Sequence, residues 1–197
     1  MITIYGDPIS GNCLKVKWTA ERLAIPFTWI DVSVVNRETR TDRFLAINPA
    51  GQVPTIVLED GRPLAQSNAI ILHLAEGSAL IPADAYDRAK MLEWLFWEQY
   101  NHEPTVAVVR FQMKYLGKSR AEVDPALVAK AEAALALMER ALIGKQFLVG
   151  GQLTLADIAL VAYTRFAADG GFDLADYPAV DAWVRRVEHA LPIRDPR

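Results

Sequence analysis

Over the first third of the chain, short β-branched runs alternate with stretches in which apolar residues return every three or four positions. The run ITIY (2–5) predicts a buried strand, and FTWIDV (27–32), bounded by Pro26, predicts a second. Between them, from about 13 to 24, Cys13, Val16, Ala20 and Leu23 fall on one helical stripe. Residues 41–47 predict a short helix that ends before NPAG. TIVLED (55–60) and RPLA (62–65) flank Asp60-Gly61, a strong hairpin signal. SNAIILHLAE (67–76) predicts a helix with Ser67 as its N-cap. The order is β-α-β-α-β-β-α. The first two strands flank a crossover helix and are expected to be parallel, whereas the hairpin strands must be antiparallel. The expectation is an α/β unit, βαβαββα, with a small mixed sheet and helices on its faces.

After Gly77 the pattern changes. GSALIPADA (77–85), with its Gly, Pro and small residues, reads as a linker. Everything beyond it predicts helix. Residues 86–116 form a long aromatic-rich segment in which Pro104 predicts a kink. Asp124-Pro125 opens a helix with the stripe Leu127, Ala131, Leu135, Met138, Leu142, and Gly144 closes it. TLADIALVAYTRFAA (154–168) predicts a strongly apolar, central helix, and 177–191 the last. The division is therefore 1–76 α/β, 77–85 linker and 86–197 all-α.

Composition narrows the function class. A chain of 197 residues, 52% hydrophobic, with a net charge of −3 and no lysine/arginine block, suits a globular protein and argues against nucleic acid as partner. No apolar run reaches the ~18 residues of a membrane span, and MITIYGDP lacks the basic and apolar regions of a secretory signal. One cysteine excludes an intrachain disulfide, and His73, His102 and His189 show no metal-ligand spacing. The cytoplasm is the expected location.

Three places in the first unit carry candidate chemistry. In PISGNCLKV (8–16), Ser10 and Asn12 stand where a helix begins after a strand. Their side chains either cap the helix or donate hydrogen bonds to an anion beside its first amides. Cys13 belongs to the apolar stripe and reads as a buried structural thiol. In VPT (53–55), Pro54 either opens a strand in the ordinary trans form or follows a cis bond that turns the Val53 backbone outward. In QSNAI (66–70), Gln66 and Ser67 precede a helix whose first amides favour an anion, with simple capping as the alternative. In the helical half, Thr154 and Asp157 form a capping box. YNHEP (100–104) is either a solvated turn at a kink or part of a cleft lining.

Taken together, SGNCLKV (10–16), NPAGQVPTI (48–56), DGRPLAQSNAI (60–70) and LTLADI (153–158) resemble the cytosolic glutathione transferase superfamily, over essentially the whole chain. The resemblance implies a thioredoxin-like N-terminal domain, an all-helical C-terminal domain, a homodimer, glutathione as cofactor and a detoxifying transferase activity. It implies that Ser10, as in serine-type classes, and Asn12, as in bacterial nu-type members, activate the glutathione sulfur. Val53 would pair its backbone with the cysteinyl part and Pro54 would be the cis-proline. Gln52 would reach the glycyl carboxylate, and Gln66 and Ser67 would hold the γ-glutamyl end. Many members carry Glu where Gln66 stands, and serine-type classes often carry Pro where Asn12 stands. Cys13 does not align with the catalytic cysteine of omega- or beta-type members.

The reaction expected from this pattern is attack of a glutathione thiolate on a small electrophile, with a disulfide or a peroxide as the alternative acceptor. A non-catalytic interaction module on the same fold is the remaining alternative. Acceptor contacts are expected from Ile9, Tyr100, Glu103, Arg110 and Phe111. Arg110, about two helical turns past Asn101, is expected to face the same side and stabilise an anionic co-substrate.

Overall fold

The computed structural model describes residues 1–191 and Ile193, and it divides into two units, Met1–Ser78 and the chain from Ala79 on. In the first, β1 (Ile2–Gly6) is followed by α1 (Gly11–Arg22), β2 (Phe27–Asp31) and α2 (Asp42–Leu45). Then come β3 (Thr55–Val57), β4 (Pro63–Ala65) and α3 (Ser67–Leu74). The βαβαββα order of the sequence reading is the observed one.

The sheet runs β2-β1-β3-β4. β1 and β2 are parallel, with Ile4 opposite Trp29, and β3 is antiparallel to both β1 and β4. Ile4 and Ile56 face each other across the central pair and are fully buried. α1 and α3 pack on one another, and α3 lies against β3 and β4. Cys13, Val16 and Ala20, the predicted stripe, are all fully buried there. Gly6 ends β1 under the indole of Trp29, where a Cβ would collide with the ring.

Two boundaries differ from expectation in ways that matter for the site. α1 begins at Gly11, with Ser10 as its N-cap residue, and ends before Ala24, whose φ of 53° breaks the helix. α3 begins at Ser67 itself, so Ser67 is not the N-cap; Gln66 is, at φ 71°. The capping role assigned to Ser67 is corrected by its actual partner across the unit, Asn12.

In the second unit α4 (Ala85–Trp97) starts on Asp84, whose carboxylate accepts from the amides of Tyr86 and Asp87 at 2.9 Å. The predicted proline kink takes the form of ten π-helical residues, Glu98–Ala107, before α5 (Val108–Lys114). Pro104 has no N–H to donate and its ring crowds the preceding turn, which the wider i→i+5 pattern relieves. The hydroxyl of Thr105 donates to carbonyls of this segment, Asn101 at 2.6 Å and His102 at 3.1 Å. α6 (Pro125–Leu142), α7 (Leu155–Thr164) and α8 (Pro178–Ala190) complete the unit. All ten residues of α7 are buried, as its apolar sequence demands. Of the range 86–197 in the sequence reading, Pro192 and 194–197 lie outside the described residues. Among the described residues no helix is long and apolar enough to cross a membrane.

Candidate active site

Strand register brings the three predicted stretches of the first unit to one end of the sheet. β1 ends at Gly6, and Tyr5 pairs with Thr55, the first residue of antiparallel β3. Thr55 in turn pairs with Ala65, the last residue of β4. The loop carrying Ser10, the loop carrying Gln52, Val53 and Pro54, and the junction Gln66-Ser67 therefore all leave from the same edge. Ser10 and Ser67 are far apart in sequence; the antiparallel pairing cancels that distance.

The β1–α1 loop is built around Asp7, which is buried. Its carboxylate accepts from the amides of Ile9 at 3.1 Å and Val34 at 2.7 Å, and its carbonyl accepts from the amide of Ser10 at 3.0 Å. Ser10 is thus fixed as the last residue before α1, half-buried, yet its hydroxyl makes no capping bond to the helix. That hydroxyl lies instead against the thiol of Cys13 and favours its ionised form. Burial outweighs this: the Cys13 pKa is pushed from 9.0 up to about 11, first by desolvation, while the Asp7 amide, 3.3 Å from Sγ, acts the other way. A fully buried thiol that keeps its proton is the structural cysteine of the sequence reading, and no nucleophile.

Asn12, in the first turn of α1, meets Ser67: the Ser67 hydroxyl donates to Asn12 Oδ1 at 3.0 Å. This makes Nδ2 the donor end of the Asn12 amide. Ser67 is buried, and Gln66 beside it is exposed with its left-handed φ of 71°. A non-glycine residue in that region costs of order 1–3 kcal/mol and is held there by its surroundings. On the third strand end, Gln52 is exposed, Val53 half-buried and Pro54 buried, and the Val53–Pro54 peptide bond is cis. The buried Asn48 side chain secures this loop, donating to the Gln52 carbonyl at 2.8 Å and to Thr55 Oγ1 at 3.0 Å.

The residues expected on the acceptor side belong to both units. Ile9 stands in the β1–α1 loop, half-buried. In the second unit, Tyr100 is 86% exposed and lines a groove of about 440 Å³ with Trp97, Asn101, Lys130 and Leu137. Glu103 is half-buried in the π-helical segment. Arg110 lies in α5. Its guanidinium is buried, pairs with Asp169 at 3.3 Å, donates to the Tyr115 hydroxyl at 3.0 Å and stacks on Phe166 at 4.4 Å. Phe111 packs its ring on Tyr115 at 5.7 Å.

Comparison with known proteins decides what this edge belongs to. Residues 9–76 match the model of the glutathione S-transferase N-terminal domain, and residues 94–190 that of the C-terminal domain. The chain belongs to the glutathione S-transferase family. Its first unit is the thioredoxin-like domain of that family and its second the helical one. A glutathione S-transferase from Pseudomonas fluorescens superposes with a TM-score of 0.93 at 43% identity, over 98% of this chain and 99% of that one. Glutathione S-transferase 3 of Zea mays is 30% identical over 194 residues, 92% of this chain and 86% of that one. A glutathione transferase homologue from Drosophila mojavensis, solved with bound glutathione, is 27% identical, with a TM-score of 0.85 over 95% of this chain and 87% of that one. This chain is a glutathione transferase, with glutathione as its thiol substrate.

At this end of the sheet, sequence reasoning missed the residues that hold others in place. Asp7 and Asn48 gave only local turn signals, Asp-Pro and Asn-Pro. Lys15 and Asn68 gave none, because a lysine and an asparagine on helices read as solvated.

Proposed function

We propose that glutathione binds across the strand ends of the first unit, with its sulfur held as a thiolate by Ser10 and Asn12. The observation that carries this reading is the Ser10 hydroxyl, which stands at the N-terminal end of α1 and makes no cap bond there, its contact being with the Cys13 thiol. Ser10 Oγ and Asn12 Nδ2 donate to the sulfur, and the first amides of α1 add partial positive charge. A free thiol has a pKa near ~8.5, so only a few per cent is thiolate at neutral pH. Lowering that value by ~2 units requires ~2.7 kcal/mol of preference for the anion. Two charge-assisted hydrogen bonds and a helix end supply energy of that order.

In this assignment Val53 pairs its backbone with the cysteinyl part, Gln52 reaches the glycyl carboxylate, and Gln66 and Ser67 hold the γ-glutamyl end at the start of α3. The thiolate attacks an electrophilic carbon: a sulfur–carbon bond forms and the leaving group departs with its electron pair. Attack on a disulfide or peroxide is the second reading, favoured by Asn12 beside Ser10 together with the absence of an ionisable cysteine at the site. We place the reaction in the cytoplasm and the working form as a homodimer, which light scattering will show as twice the chain mass.

The test is steady-state kinetics and calorimetry on wild type and Ser10→Ala, with aryl halide, epoxide, peroxide and mixed-disulfide acceptors. Ser10→Ala should retain glutathione binding, lose roughly 10- to 30-fold in kcat near neutral pH, and shift the pH–rate profile to higher pH. An unchanged kcat together with an unchanged thiol pKa would refute the role of Ser10.

A further inference from the structure

Lys15 lies on α1 one turn beyond Asn12 and is 0% exposed. Full burial is rare for lysine, because an ammonium leaves its hydration shell at a large cost unless hydrogen bonds replace it. Here the ammonium crosses to α3 and donates to Asn68 Oδ1 at 3.3 Å. Asn68 directly follows Ser67, and Ser67 donates to Asn12 at 3.0 Å. The same two helices are thus joined twice, by Asn12–Ser67 at the open edge and by Lys15–Asn68 immediately behind it.

We infer that Lys15 is a positioning residue for the glutathione site, locking the first turn of α3 onto α1 and setting a buried positive charge behind the helix start that receives the γ-glutamyl carboxylate. This inference rests on the assignment of Gln66 and Ser67 to that end of glutathione. Three features of the fold converge on it. The tie is made to the second residue of α3, where a helix still has amides without intrahelical partners. It is made by a side chain that carries a compact full charge on a flexible four-carbon stem, long enough to span two packed helices. And the charge is felt at the start of α1, where it favours ionisation of the Cys13 thiol against the opposing effect of burial. Lys15 touches no reacting atom in this role. It holds Ser67 where the Asn12 amide needs it and biases the carboxylate subsite electrostatically.

Lys15→Met keeps the apolar stem and removes the charge and the tie. Calorimetry should show glutathione binding weakened about 10-fold. For a glutathione analogue whose γ-glutamyl α-carboxylate is replaced by hydrogen, the loss should stay under about 2-fold. KM for glutathione should rise more than kcat falls. A merely structural lysine would weaken both ligands alike, and equal losses, or none, overturn the inference. Should Lys15→Met fail to fold, Asn68→Ala, which leaves the ammonium in place, is measured with the same ligand pair: selective loss of glutathione supports the positioning tie and an equal loss overturns it. Wild type that fails to bind glutathione at all would instead overturn the site assignment, and the inference with it.

Discussion

At Cys13 the protein carries a thiol that holds its proton, with a pKa raised to about 11 by burial. Its stripe partners Val16 and Ala20 were legible from spacing alone, and so was its fate. The bonding of Ser10 was not: capping residue and anion donor share one sequence signature, and its hydroxyl makes no cap bond and lies against the Cys13 thiol. The raised thiol pKa has a direction that can be checked. Between pH 9 and 11 the unfolded chain releases the Cys13 proton and the folded chain keeps it, so unfolding becomes easier as pH rises through that window. Urea unfolding should show a loss on the order of 2–3 kcal/mol across it, and Cys13→Ala should remove that part of the slope. A slope identical in both chains would show that the thiol is not buried as described. Labelling by a thiol reagent at pH 8 should likewise proceed only as fast as the chain opens.

Among the elements, α7 shows how a predicted motif becomes a structural junction. The capping box Thr154–Asp157 forms, with Thr154 N donating to Asp157 at 2.9 Å, and the same carboxylate also accepts from Leu148 N and Trp183 Nε1, each at 2.9 Å. Burial raises the Asp157 pKa, and these hydrogen bonds pull it back. The sequence reading found the cap; the links to Leu148 and to α8 through Trp183 are tertiary. Asp157→Ala takes the carboxylate acceptor from four donors, the amides of Leu148 and Thr154, the Thr154 hydroxyl and Trp183 Nε1, at ~1–3 kcal/mol each and not additively. It should lower the unfolding free energy by about 3 kcal/mol or more, read from urea midpoints. A loss under ~1 kcal/mol would mean that the carboxylate is only a local cap. The π-helical segment carries the opposite lesson. Pro104 predicted a disturbance, but a kink and a widened helix remove the same hydrogen bond and rotate the residues beyond them differently.

For the whole molecule, binding must appear as stability. At a glutathione concentration 100 times Kd, linkage stabilises the folded state by about 2.7 kcal/mol, provided the unfolded chain does not bind. Thermal unfolding of wild type should shift upward accordingly, and that of Lys15→Met should shift less at the same concentration. No shift for wild type at millimolar glutathione would count against binding in the first unit. The order of elements and the mixed sheet were written in local periodicity, because β-branched runs, helical stripes and Asp-Gly turns act over a few residues. So was the buried character of α7. The convergence of Ser10, Val53 and Ser67 on one edge was decided only by strand register, which joins residues far apart in sequence. The Lys15–Asn68 tie was decided by the packing of two helices whose sequences each read as ordinary amphipathic segments. Local preferences select elements, and which side chains meet depends on how those elements pack, a property no single stretch of sequence contains.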